Sequence, residues 1–129
     1  MPYTVNFLDS EGIVTVVNSG VLEYKDYSEQ AREAYELSLT KDSYLFLADC
    51  TKMVNDADLF EILDLPGLYE RIKVSRSIKV AVLLSEDAAT NEDIRFYETV
   101  CLNRGWNVKV FSNQDSALVW LKGQKNFKT

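Results

Sequence analysis

Two short runs constrain this chain more than anything else in it. Ser43 to Ala48 contains Tyr-Leu-Phe-Leu-Ala, and Ile78 to Leu84 contains Lys-Val-Ala-Val-Leu-Leu. Both are almost continuously apolar and too short for an amphipathic helix, so they read as central strands buried on two faces. Strands of that kind must be covered by helices, and the intervening segments have the pattern to supply them.

Val5 to Leu8 and Ile13 to Asn18 are β-rich runs joined by Asp9-Ser-Glu-Gly12, the composition of a hairpin. Gly20 is expected to end the second strand, with Val21 to Tyr24 as a link. Asp26 and Glu29 form a capping-box pattern for a first helix reaching about Leu39, with Tyr27, Ala31, Ala34, Tyr35 and Ser38 at helical spacing. A second helix is expected from about Asn55, with Leu59, Phe60, Ile62 and Leu63. Pro66 cannot donate to the carbonyl of Ile62, which predicts a kink or restart there, with Asp64 as the cap of the second half.

Thr90-x-x-Asp93 is expected to cap a third helix carrying Ile94, Tyr97 and Cys101 on one stripe, with Arg104 in its last turn and Gly105 after it. Asn107 to Phe111 is the last strand, and Ser112-x-x-Asp115 opens a final helix with Leu118 and Leu121. The order is β-β-α-β-α-β-α-β-α. It predicts an α/β fold in which a mixed, mostly parallel sheet of about five strands, hairpin first, is covered by four helices. Residues 1–124 are expected to form one domain and 125–129 a short basic tail.

Composition excludes several function classes. The formal charge is −6, with 20 acidic and 14 basic residues, and the basic residues form no extended cluster. Nucleic acid and anionic membrane are therefore not expected partners. The chain has no histidine, which removes the commonest general base and metal ligand. Cys50 and Cys101 are the only cysteines and read as free thiols of a cytoplasmic protein, without a histidine to activate either. No signal peptide is recognised, and no apolar run approaches the ~20 residues of a membrane span. No enzyme activity, cofactor or metal is expected, and no catalytic residue is assigned.

The junction Leu47 to Gly67 holds the candidate site residues. The run ending at Ala48 is expected to stop at Asp49, and a polar loop over 49–55 leads to the helix start Asn55-Asp56-Ala57-Asp58. Asp49, Asp56 and Asp58 could be offered to a hard cation, but three carboxylates without a glycine-bent loop are too few oxygen ligands. Tyr44 and Thr51 flank the junction with no activating base. Asp49 at a strand end, with Ser85 at the next, resembles the phosphoacceptor arrangement of receiver domains. That pattern fails elsewhere: Asp9 and Glu11 are followed by Gly12 and a strand rather than a helix, and Lys109 lies mid-strand rather than at its end.

Element order and this junction together resemble a STAS-type domain, the fold of bacterial anti-sigma-factor antagonists and of the cytoplasmic tails of sulfate transporters. Such domains commonly carry Asp-Ser-Ser-Gly at this helix start, with phosphate accepted on the second serine. Here Asp56 matches the aspartate, Ala57 replaces the first serine, Asp58 stands at the acceptor position and Leu59 replaces the glycine. The phosphoacceptor is not kept. Asp58 reads either as a permanent negative charge or as an ordinary acidic residue at a helix N-terminus.

The resemblance implies a non-enzymatic regulatory module acting through an unidentified protein partner, with Asp49, Thr51, Asn55, Asp56 and Asp58 as the candidate interaction surface. The alternative is a carrier of a small molecule or lipid. It rests on seven Tyr and six Phe residues and on the interrupted helix, with Leu63, Pro66 and Gly67 as pocket or hinge. Ile13 to Val17 at an exposed sheet edge adds the expectation of a homodimer.

Overall fold

The computed structural model describes residues 2–89 and 92–123. Strand β1 (Tyr3–Leu8) turns through a tight loop into β2 (Ile13–Leu22). Helix α1 (Tyr24–Thr40), β3 (Leu45–Asn55), α2 (Leu59–Arg71) and β4 (Lys79–Leu83) follow. A short α3 (Glu86–Ala89), α4 (Glu92–Asn103), β5 (Asn107–Phe111) and α5 (Gln114–Leu121) complete the fold. The sheet order is β1-β2-β3-β4-β5; β1 and β2 are antiparallel and every other pair is parallel.

Because successive parallel strands are added in one direction, right-handed crossovers put their helices on a single face. Helices α1, α2 and α4 lie there, packing Ala34, Ile62, Leu65, Tyr97 and Cys101 over Val14, Val16, Phe46 and Val108. Helix α5 covers the opposite face, where Ala117 and Leu121 meet Ile13, Leu47, Ala81 and Leu83. The Lys79 ammonium donates to the Trp120 carbonyl at 2.5 Å and pairs with the ring of that residue, and Lys122 forms an ion pair with Glu11. Helix α5 is thereby tied to both β4 and the hairpin loop.

Several boundaries differ from expectation for local reasons. Gly20 does not end β2: it takes φ +93° inside the strand, a conformation only glycine adopts without penalty, and pairing continues to Leu22. The cap of α1 is Glu23, in a reciprocal box with Asp26, so the helix begins at Tyr24 rather than after Asp26. The side chain of Asn113, not Ser112, caps α5 by accepting from the Ser116 N–H. Among the described residues five helices rather than four are present, the addition being the single turn α3. Thr90, the expected cap of the third helix, and the 125–129 tail lie outside the described residues.

The largest departure is β3. Asp49 is not a strand end, and 49–55 is not a loop. Val17 pairs with Asp49 but Ser19 with Lys52, so β3 carries one residue more than β2 across this step. That is a β-bulge, and the Asp49 side chain holds it by accepting from the Thr51 N–H at 3.1 Å and the Thr51 hydroxyl at 2.7 Å. Beyond it β3 continues to Asn55 beside β2 alone, because pairing with β4 stops at Asp49–Leu83. Consequently β2 is an interior strand, and the expected free edge at Ile13–Val17 does not exist; the outer strands are β1 and β5.

Helix α2 also departs from expectation. It runs as one element through Pro66, which is buried, and Asp64 does not cap a restart. Instead Asp64 accepts from Arg71 at 2.9 Å and from the Tyr24 hydroxyl at 2.6 Å, linking the outer side of α2 to α1. The Arg71 hydrogen bond, then the Tyr24 one, hold this carboxyl below the usual carboxylate range.

Candidate functional site

The bulge decides what the sheet shows to its helices. Before it, Phe46, Ala48 and Cys50 point toward α1 and α2; after it the parity shifts, and Met53 and Asn55 point the same way. The row across the sheet at this level is Val16, Ala48, Val82 and Val110. Alanine in the middle of three valines leaves a hollow in the sheet floor. Above it lies a cavity of about 170 Å³ walled by aliphatic side chains and by Tyr27, Tyr69 and Tyr97.

The polar groups of this wall bond mainly to one another. Asn18 is 1% exposed; its amide accepts from Gln30 at 2.7 Å and approaches the Cys50 sulfur at 3.3 Å. The Tyr27 hydroxyl donates to Asn55 Oδ1 at 2.8 Å, and the Tyr69 and Tyr97 hydroxyls lie 2.9 Å apart. Burial pushes all three tyrosines above the ordinary phenol range, so they remain neutral. Burial likewise raises the Cys50 thiol to about 11 and Cys101 to about 12. Neither is a nucleophile at neutral pH.

A second cavity, of about 260 Å³, shares Cys50, Met53, Asn55, Ile62, Leu84 and Ile94 with the first. It lies where β3 has run past the end of β4, and it is closed by Thr51, Ala57 and Leu59 on one side and by Ser85, Ala88 and Asp93 on the other. This is the carboxyl end of the parallel strands, the usual position of ligands in open α/β sheets.

The residues singled out in the sequence divide by this geometry. Thr51 and Asn55 border the outer cavity; Asn55 also bonds the backbone of Ala57 through both ends of its amide. Asp49 serves the bulge. The Asp56 side chain is exposed and its N–H donates to the Leu22 carbonyl at 2.7 Å. Asp58 is the N-cap of α2: its carboxylate accepts from the Glu61 N–H at 2.9 Å, and Glu61 accepts from the Asp58 N–H at 3.0 Å. Its charge is matched to the helix end. Asp49, Asp56 and Asp58 are not brought together as cation ligands, and among the described residues no group of three His, Cys, Asp or Glu side chains is placed to hold a metal.

Leu63, Pro66 and Gly67 lie beside the cavity rather than in its wall, whose α2 contribution is Ile62, Leu65 and Tyr69. Sequence reasoning missed Asn18, Gln30 and Ala48. The first two were hidden because a polar residue in a strand and one on a helix gave no sign of meeting; Ala48 was legible only as one more apolar strand residue.

This architecture has known counterparts. One is an uncharacterised protein of the DUF3478 family from Shewanella loihica PV-4, described as having a SpoIIAA-like fold. It is 20% identical, with 92% of this chain and 91% of that chain covered and a TM-score of 0.56. Another is the anti-sigma-factor antagonist SpoIIAA in its unphosphorylated form, 10% identical over 94% of this chain and 98% of that one, with a TM-score of 0.53. The chain has a STAS-like, SpoIIAA-like fold. No protein-family model matches it, and no curated protein matches it. Among the described residues no helix is long and apolar enough to cross a membrane.

Proposed function

We propose that this chain is a non-enzymatic binding module that holds a small apolar ligand between its sheet and helices α1, α2 and α4. The observation that carries the reading is the cavity of about 170 Å³ over Ala48. Protein interiors are packed like organic crystals and hold few voids larger than a water molecule. An unfilled apolar space of this size leaves its lining without packing partners, and a domain is stable by only ~5–15 kcal/mol. A ligand that binds only the folded state offsets that loss. Helix α2 is the wall suited to admit it, since Pro66 removes one rung of its hydrogen-bond ladder.

The fold supports a regulatory or binding role in general, and one observation favours a protein partner as well. Val21 and Val54 are register partners on the sheet face that α5 leaves open, each 57% exposed, with Val17 on the same face at 42%. A partner reading the state of the cavity would dock there, rather than on the capping and bulge carboxylates.

Native mass spectrometry of protein purified gently from its own cells tests the ligand reading. The expected result is an added mass that organic extraction releases as an apolar compound. A bare chain, together with no uptake of any small apolar probe by the purified protein, would refute it.

A further inference from the structure

Among the described residues no charged side chain contributes to the wall of the inner cavity. A charged guest would find no counter-ion there, and an unpaired charge in an apolar space is costly. The space suits a neutral guest. Which polar group that guest should carry follows from counting the protons of the wall.

Most of those protons are spent. The Asn18 and Gln30 amides bond to each other, and Asn18 also reaches the Cys50 sulfur. Asn55 holds the Ala57 backbone with both ends of its amide, and the Tyr27 hydroxyl gives its proton to Asn55. The Tyr69 and Tyr97 hydroxyls are different. Together they hold two protons, and the 2.9 Å bond between them uses one. Among the described residues no other oxygen or nitrogen bonds to either hydroxyl; the neighbour offered to the second proton is the Cys101 sulfur, a weak acceptor. Burial keeps both phenols protonated, so that second proton is always present. Tyr69 stands on α2 and Tyr97 on α4, in the helical wall that faces Ala48 on the sheet floor.

Resting on the apolar-ligand reading, we infer that the ligand is a neutral molecule with one acceptor oxygen, a carbonyl or a hydroxyl, on an otherwise apolar frame. The oxygen takes the second proton of the Tyr69–Tyr97 pair, and the frame lies over Ala48. An engineered core cavity of ~150 Å³ holds benzene, so a single ring or a short chain is the matching size.

Isothermal titration with toluene, cyclohexanone and cyclohexanecarboxylate tests this near neutral pH. Each is one six-membered ring, respectively without an acceptor, with a carbonyl and with a charge. Toluene and cyclohexanone are expected to bind, and the carboxylate about tenfold or more weaker than cyclohexanone. In Tyr69→Phe/Tyr97→Phe, which keeps both rings and removes both hydroxyls, cyclohexanone is expected to weaken about fivefold and toluene to change by less than about twofold. On the unmodified protein, infrared spectroscopy gives an independent reading. The carbonyl stretch of bound cyclohexanone is expected at lower frequency than in an alkane solvent.

An unshifted carbonyl, a cyclohexanone affinity indifferent to the double variant, or a carboxylate that binds as tightly overturns the inference and leaves the apolar-ligand reading standing. Failure of both neutral probes to bind overturns the two together. Ala48→Ile is expected to weaken both neutral probes; one that it does not touch sits elsewhere and counts against the inference.

Discussion

Replacing Ala48 with isoleucine should stabilise this protein, the reverse of what enlarging a core residue ordinarily does. Ala48 sits at the centre of the sheet with Val16 and Val82 as its register neighbours, facing a cavity of about 170 Å³. Isoleucine adds three carbons, and at ~0.8 kcal/mol per buried methylene the gain is about 2.4 kcal/mol. Its β-branch suits a strand. In a domain of this size that corresponds to roughly 8–10 °C in the unfolding midpoint, measured by calorimetry alongside urea titration with unchanged slope. Ala81 supplies the control. It is 0% exposed on the α5 face, packed with Leu47 and Leu83 and lining neither of the two cavities described, so Ala81→Ile should destabilise by about 1–3 kcal/mol. If both variants lose stability alike, the space over Ala48 is not there and the reasoning fails.

Two other perturbations separate the roles assigned to nearby groups. Asp58→Ala should lower stability by about 1 kcal/mol in urea titration while Asp58→Ser, which keeps a capping oxygen, loses markedly less; equal losses would mean that charge, not the cap, matters at this position. Raising the pH should destabilise the fold through Cys50, because its pKa in the folded state, about 11, lies above the ordinary value of 9.0. The unfolded chain then releases the thiol proton first, so stability is full below about pH 9 and falls by about 1.4 kcal/mol per pH unit until the folded thiol also titrates. Cys101, raised to about 12, adds a parallel fall over the same range, so Cys50→Ala should lessen the slope without abolishing it; a profile unchanged by the substitution would show that Cys50 is not among the groups responsible.

Much of the architecture is legible in the sequence because the two apolar runs, the hairpin glycine and the helix periodicities all point to one α/β sheet. The misreadings share a cause: a local signal was overridden by pairing at a distance. Asp49-Cys-Thr51 reads as a turn because polar residues interrupt an apolar run, yet the Asp49 carboxylate is what lets the strand bulge and continue beside β2. Gly20 and Pro66 read as breaks, yet Gly20 stays in β2 through its pairing with Met53, and Pro66 stays in α2 buried among its neighbours. The cavity could not be read at all. It depends on Ala48 lining up with Val16 and Val82, from strands far apart in the chain, and on a one-residue shift that turns Met53 and Asn55 inward.

The most direct measurement is a crystal structure determined under xenon pressure. A xenon site, or density for a compound carried from the cells, is predicted between Ala48, Phe46, Tyr69 and Val80, the residues that wall the inner cavity. An unoccupied region in which Tyr69 and Tyr97 have closed onto the sheet, with no xenon between them and Ala48, would contradict the account at its centre.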